Sequence, residues 1–371
     1  MIDKRSGIYV HIPFCQSKCP YCDFSSFAGN SSYGLYFEAL SKEVVSRSTN
    51  NQISTIYFGG GTPSFVSTNF IAQAIKSIRN NFSISKNVEA TIEGNPDSLT
   101  ADKLEAYREL GFNRISIGMQ SAIDSELEAI GRLHAFRHTK DSVANAKIAG
   151  FDNISLDLMF GLPGQKLETW ERSLESAIAL EPKHISTYSL TLDEDSSYLI
   201  ENKEKFPNED TEREMYHMAY RLLSASRYES YEISNFSISG FECAHNLDCW
   251  DLQEYLGFGM AAHSFVGNAR IANTSNFKRY IANAGTKEAV EFIDKLNKEE
   301  LMSDYCMLAL RTSKGISLMR FEELFGVNLN SAYPNVLDKL GKDGLVKASP
   351  SFVSLTRKGL DFANIAMGAF M

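Results

Sequence analysis

Six times before about residue 190, a short apolar run with strand character gives way to a stretch with helical spacing. The strand-like runs cover 7–14, 53–60, 88–95, 114–121, 153–161 and 184–190. The helical patterns cover 32–48, 68–80, 100–110, 123–131, 139–149 and 167–180. Local signals agree with this division. Thr100 stands where an N-cap belongs, Gly111 follows the same helix, and Gly150 closes the fifth. Strands and helices in strict alternation imply a parallel sheet with helices outside it. Right-handed crossovers curl such a sheet toward a barrel, and eight units would close one. Six predict a partial, open, TIM-like (βα)6 barrel of the α/β class over about residues 1–195. Its active site belongs at the C-terminal ends of the strands.

Beyond residue 195 the pattern changes. Residues 193–210 are acidic and polar and read as a surface excursion; 212–226 read as an amphipathic helix. Residues 228–271 are rich in aromatics and glycine, and a further helical pattern begins near Lys287. The region 196–290 is expected to connect to and complete the core. From 291 to 371 the order helix, helix, helix, hairpin, helix predicts a C-terminal α+β winged-helix-like domain. A nucleic-acid role for it is disfavoured by a formal net charge of −9. Docking or capping is the expected role. The N-terminus lacks a signal-peptide pattern, and no apolar run reaches the ~18 residues of a membrane span. A cytoplasmic protein is expected. In that compartment six cysteines are better read as metal ligands or core residues than as disulfides.

Three of those cysteines stand in His11-Ile-Pro-Phe-Cys15-Gln-Ser-Lys-Cys19-Pro-Tyr-Cys22-Asp-Phe24, directly after the first strand. Three thiolates on one loop can hold three irons of a 4Fe-4S cube and leave the fourth iron open for chemistry. Zinc favours paired C-x2-C units, and the spacing of Cys243 and Cys249 does not supply a second pair. Tyr21 and Phe24 are expected to shield the cluster from solvent.

The other strand ends point the same way. The second runs into Gly59-Gly60-Gly61-Thr62-Pro63, where bare backbone can approach a ligand closely. The third ends in Ile92-Glu93-Gly94-Asn95-Pro96. A carboxylate at the end of an apolar strand needs a partner, and a ribose hydroxyl pair suits it. Gln120 offers an amide at the end of the fourth strand. Asp157 lies within the fifth, and Arg132, after the fourth helix, is within reach of a carboxylate. For Asp157 and Arg132 a structural ion pair stays open as the alternative.

On HIPFCxxxCxYCDF, GGGTP, IEGNP, IGMQS and DLMFGLPGQ together, the chain resembles the radical S-adenosylmethionine superfamily, and in it the coproporphyrinogen-oxidase-like branch. The resemblance covers almost the whole chain. It implies a 4Fe-4S cluster on Cys15, Cys19 and Cys22 that binds S-adenosylmethionine through its open iron. Electron transfer would then cleave the C–S bond to give methionine and a 5′-deoxyadenosyl radical. It further implies cofactor contacts from Tyr9, Gly60, Gly61, Thr62, Glu93, Gln120, Arg132 and Asp157.

The branch holds oxygen-independent coproporphyrinogen III oxidases and haem chaperones. The oxidases usually carry a fourth cysteine where this chain has Phe24, and a long extension where it has ten residues before His11. The chaperones carry an HNxxYW segment, matched here by His245-Asn-Leu-Asp-Cys249-Trp250 with cysteine in the tyrosine's place. The resemblance therefore implies haem as cargo, with His245 as its contact. It also implies haem-accepting respiratory proteins as partners, a flavodoxin- or ferredoxin-type electron donor, homodimers and visits to the membrane surface. His263 is expected to be structural or to touch the cofactor. Two other functions stay open: decarboxylation of coproporphyrinogen III, and nucleic-acid binding by the winged-helix tail.

Overall fold

The structure, a computed structural model, describes residues 5–29, 32–193 and 195–371. All six predicted strands form. They are β1 (Arg5–Ile12), β2 (Gln52–Gly60), β3 (Ser83–Gly94), β4 (Arg114–Gln120), β5 (Asn153–Phe160) and β6 (His184–Ser189). Each pairs in parallel with the next. The helices between them are α1 (Tyr33–Ser46), α2 (Thr68–Asn81), α3 (Ala101–Glu109), α4 (Asp124–Ala129), α5 (Phe136–Ile148) and α6 (Leu167–Ala179). The Thr100 hydroxyl accepts the Lys103 N–H at the start of α3, and Gly111 and Gly150 take the positive φ of helix C-terminal turns.

The period of two along each strand decides what the barrel encloses. One set of alternate residues is apolar: Ile8, Val10 and Ile12; Ile56 and Phe58; Ala90 and Ile92; Ile115 and Ile117; Leu156 and Leu158. These are buried in one core with the helices. The other set is polar, including Tyr9, Thr55, Tyr57, Glu89, Glu93, Arg114, Ser116, Ser155, Asp157, His184 and Ser186. Among them Tyr9 stacks on Tyr57, Tyr57 bonds Glu93, Asp157 accepts from Ser116 and Ser186, and Ser155 bonds His184. The inner face is thus polar where the outer face is apolar.

The open sheet is extended at both edges. After helix α7 (Ser197–Asn202) and the long helix α8 (Glu209–Ala225), β7 (Asn235–Ser237) runs antiparallel beside β6. Helix α9 (Ala244–Trp250) leads into β8 (Tyr255–Phe258), which adds a further parallel strand beside β1. Strands β9 (His263–Val266), β10 (Ala269–Asn273) and β11 (Val290–Lys295) continue antiparallel. Among the described residues the sheet has twelve strands, with the two-residue strand Glu229–Ser230 at the far edge.

Two expectations are corrected here. The helix expected from Lys287 is a single 3-10 turn followed by β11. Val290-Glu-Phe-Ile-Asp-Lys carries no helical repeat, and pairing with β10 decides its state. The surface excursion at 193–210 is in part anchored. Tyr198 on α7 is buried, and its hydroxyl donates to Ala129 O at 2.6 Å.

The C-terminal stretch has its own core. Helices α10 (Phe277–Asn283), α11 (Lys298–Arg311), α12 (Leu318–Phe325), α13 (Leu329–Ala332) and α14 (Val336–Lys342) precede the hairpin β12 (Val346–Ala348) and β13 (Phe352–Leu355). Tyr305, Cys306, Leu310, Phe321, Leu340 and Val353 pack together between α11 and the hairpin, as the winged-helix order implies.

Candidate functional site

The loop after β1 carries Cys15, Cys19 and Cys22, all free and all partly accessible. It is held from below by the end of β2. Gly61 N–H donates to Ile12 O, and Thr62 N–H to Phe14 O, each at 2.8 Å. The Thr62 hydroxyl lies 3.5 Å from Cys15 Sγ. Glycine is required at this junction. A Cβ on Gly61 would sit 2.8 Å from Ile12 O and 2.9 Å from Phe14 O. Gly60 has φ +109°, and a Cβ there would meet the His11 ring at 2.5 Å. His11 is fixed in turn: its Nε2–H donates to Ser25 O at 2.9 Å, so Nδ1 accepts the Tyr9 hydroxyl at 3.0 Å.

Among the described residues no trio of His, Cys, Asp or Glu side chains is close enough to chelate one metal ion. A cube takes each of its three protein ligands on a different iron. The aromatic shield is only half present. Tyr21 is partly buried near Arg132, whose guanidinium lies 5.9 Å from the ring centroid, whereas Phe24 is 62% exposed. Phe24 stands two residues beyond Cys22.

Below the loop, the expected cofactor residues converge. The Tyr9 and Tyr57 rings stack at 6.3 Å, and the Tyr57 hydroxyl donates to Glu93 Oε1 at 2.8 Å. A Cβ on Gly59 would press on the Glu93 carboxyl at 3.0 Å, so the first glycine of the run makes room for that acid. Burial raises the Glu93 pKa to about 7, and the nearby Asp157 adds to this against the Tyr57 hydrogen bond. Asp157 is raised by burial as well. It accepts from Ser116 at 2.8 Å and Ser186 at 2.8 Å.

Arg132 does not pair with Asp157 among the described residues, so the ion-pair alternative falls. Its NH1 donates to Asn95 Oδ1 at 3.0 Å, while its Nε is buried without a partner. Gln120 is buried with φ +62°, a left-handed conformation that costs a non-glycine residue about 1–3 kcal/mol. Such strain persists where surrounding structure fixes it. Gly118 leaves the space: a Cβ there would lie 3.0 Å from Gln120 Nε2 and 3.1 Å from Asn95 Oδ1. Gln16, Cys19, Thr62, Asn95 and Arg132 line one cleft at the mouth.

His245 is placed differently from expectation. It is 7% exposed, beside Thr55 and Tyr57 on the inner face of β2. Its Nδ1 is 2.9 Å from Thr55 Oγ1, and its ring stacks on Tyr57 at 5.3 Å. Burial lowers its pKa to about 4, so the ring is neutral. Glu89 holds the helix that carries it, accepting the Ala244 N–H at 3.1 Å and the His245 N–H at 3.2 Å. His263 lies on the exposed face of β9, 5.9 Å from the Phe292 ring.

Sequence reasoning did not single out Tyr57, His11, Asn95, Ser116 or Arg114. Their signal is the polar half of the period-two pattern in strands whose other half is apolar. Arg114 is fully buried, and its Nε and NH1 lack partners.

A family profile described as Radical SAM superfamily matches residues 9–177, and one described as HemN C-terminal domain matches residues 296–362. A Bacillus subtilis protein named heme chaperone HemW is 36% identical, with 98% of each chain covered. The Lactococcus lactis protein of that name is 31% identical over 100% of this chain and 98% of its own. Among solved structures, coproporphyrinogen III oxidase (HemN) from Escherichia coli superposes with a TM-score of 0.88 at 23% identity. That match covers 99% of this chain and 90% of the other.

Proposed function

Since the chain belongs to the radical SAM superfamily, and within it to the family of the proteins named heme chaperone HemW, we propose that it is a haem carrier built on a cluster and S-adenosylmethionine. Cys15, Cys19 and Cys22 would hold a 4Fe-4S cluster, and haem would be cargo for haem-accepting respiratory proteins. The observation that carries the cofactor part is the junction at the lumen mouth. There the cysteine loop is hydrogen-bonded onto the glycine end of β2, directly above two buried carboxyl groups.

Bound there, the cluster would supply the electron that reductive cleavage of a sulfonium requires. The chain's own residues account for binding. The backbone at Gly60 and Gly61 packs against the loop beside Cys15, where the methionine end would bind. The unpartnered Nε of Arg132 is a donor for a carboxylate. Glu93 and Asp157 are acceptors for ribose hydroxyls, and their charge favours a sulfonium cation. Tyr9, Thr62 and Gln120 frame the same space.

The carrier part rests on relatives of 31–36% identity over nearly the full chain. It also rests on Phe24, which stands where the oxidases usually have a fourth cysteine. The test is anaerobic reconstitution followed by iron counting, electron paramagnetic resonance of the reduced cluster with and without S-adenosylmethionine, and haem titration. We expect about four irons, a spectrum altered by S-adenosylmethionine, and one haem per chain. A protein that holds iron without a response to S-adenosylmethionine contradicts the cofactor assignment, and one that takes up no haem contradicts the cargo.

A further inference from the structure

We infer that haem is held in the cleft between α8 and the C-terminal hairpin, a site that deepens the carrier reading above and rests on it. The cleft has a volume of about 300 Å3, at the lower end of the ~300–1,000 Å3 usual for small-molecule sites. Tyr216, His217 and Tyr220 from α8 form one wall. Arg311 stands at the back, and Lys347 and Arg357 stand on the hairpin side.

Three features suit a flat, iron-bearing dicarboxylate. The first is aromatic surface beside cations. Arg357 lies 5.7 Å from the Tyr220 ring centroid, and neither Lys347 nor Arg357 has a carboxylate at ion-pair distance among the described residues. Exposed cations without partners are open to two propionates. The second is His217. Its Nε2–H donates to Asp361 Oδ1 at 2.7 Å, which leaves Nδ1 as the free nitrogen. A carboxylate on the far nitrogen fixes the tautomer and strengthens the ligand, the arrangement metal-binding histidines use. Forming the Nδ1–iron bond needs only the lone pair of the neutral ring.

The third feature is a pair of buried donors without a hydrogen bond inside the protein. Tyr216 Oη and Arg311 Nε are both buried and make none, and both residues line this one cleft. Arg311 NH2 meanwhile pairs at 3.6 Å with Glu232 Oε2, on a residue 2% exposed. Orphaned groups of this kind cost free energy unless something in the cleft meets them. The cleft also touches the family's HNxxYW region. The Arg311 guanidinium lies 4.5 Å from the centroid of the Trp250 ring, the last residue of α9. The segment would thus act on haem through Trp250 and Arg311, while His245 stays beside Tyr57.

The experiment uses the full chain with its cluster loaded anaerobically, titrated with ferric haem and with ferric haem dimethyl ester, read by the Soret band. The double variant Lys347→Glu/Arg357→Glu reverses two exposed charges and leaves the core intact. We expect it to weaken haem binding at least tenfold, and the ester to bind wild type about as weakly. His217→Ala should shift the Soret maximum of the bound haem. Unchanged affinity in the double variant, equal affinity for the ester, or an unmoved Soret band in His217→Ala would each overturn this site while the carrier reading stands. Failure of wild type to bind haem would overturn both.

Discussion

Gly60 and Gly61 leave almost no freedom in side chain. Gly60 combines a positive φ with a contact to His11, and Gly61 meets two carbonyl oxygens of the cysteine loop. Gly60→Ala should cost about 1–3 kcal/mol from backbone strain alone, read as a lowered denaturation midpoint. Gly61→Ala should push the loop away and reduce bound iron after reconstitution. Full iron content in Gly61→Ala would show that the strand end does not position the loop. Glu93 gives a pH test. Its pKa is raised on folding, to about 7, so the folded protein keeps this proton where an unfolded chain has lost it. A cationic ligand that needs the carboxylate should therefore bind more tightly as pH rises through 7. In Glu93→Gln, S-adenosylmethionine should bind weakly at every pH, without that rise. At this scale the sequence was legible where charge interrupts an apolar strand, as at Glu93 and Asp157. It was silent on Tyr57 and Ser116, which look ordinary until the sheet brings them beside those acids. It was silent as well on the burial of His245, because a histidine on a short helix gives no sign of which face is buried.

Elements that pair with sequence neighbours were readable, and those that pair across the chain were not. The six core strands are each joined to the next through helix and fall within a few residues of their expected bounds, apart from the early start of β3 at Ser83. Strand β8 is four residues long, contains glycine and finds its partner in β1, so nothing local marks it. Strand β11 was taken for helix although it pairs with the strand before it, because its sequence carries no strand alternation that stands out. Helix α9 shows how an element can be held by a single distant side chain. It is only seven residues long, and Glu89 on β3 supplies the acceptor for its first N–H groups. Glu89→Ala should destabilise the fold by about 0.5–2 kcal/mol, the usual range for a lost N-terminal cap, measured by chemical denaturation. His245→Ala should cost about 1–3 kcal/mol in the same assay. Because the histidine is enclosed, haem stoichiometry should not change. Loss of haem uptake with stability intact would return His245 to the role of direct contact.

Across the whole molecule, one sheet serves a lumen whose inner face is polar and whose outer face builds the core. The C-terminal stretch builds a second core against it. Resemblance of fold does not separate a haem carrier from a coproporphyrinogen oxidase, since the solved oxidase shares the architecture at a TM-score of 0.88. The most direct measurement gives the anaerobic, cluster-loaded protein coproporphyrinogen III, S-adenosylmethionine and a reductant, with a parallel sample titrated with haem. The account predicts one haem bound per chain and no protoporphyrinogen formed. Multiple turnovers to protoporphyrinogen, with release of carbon dioxide, would contradict it and make the protein a decarboxylating enzyme despite Phe24.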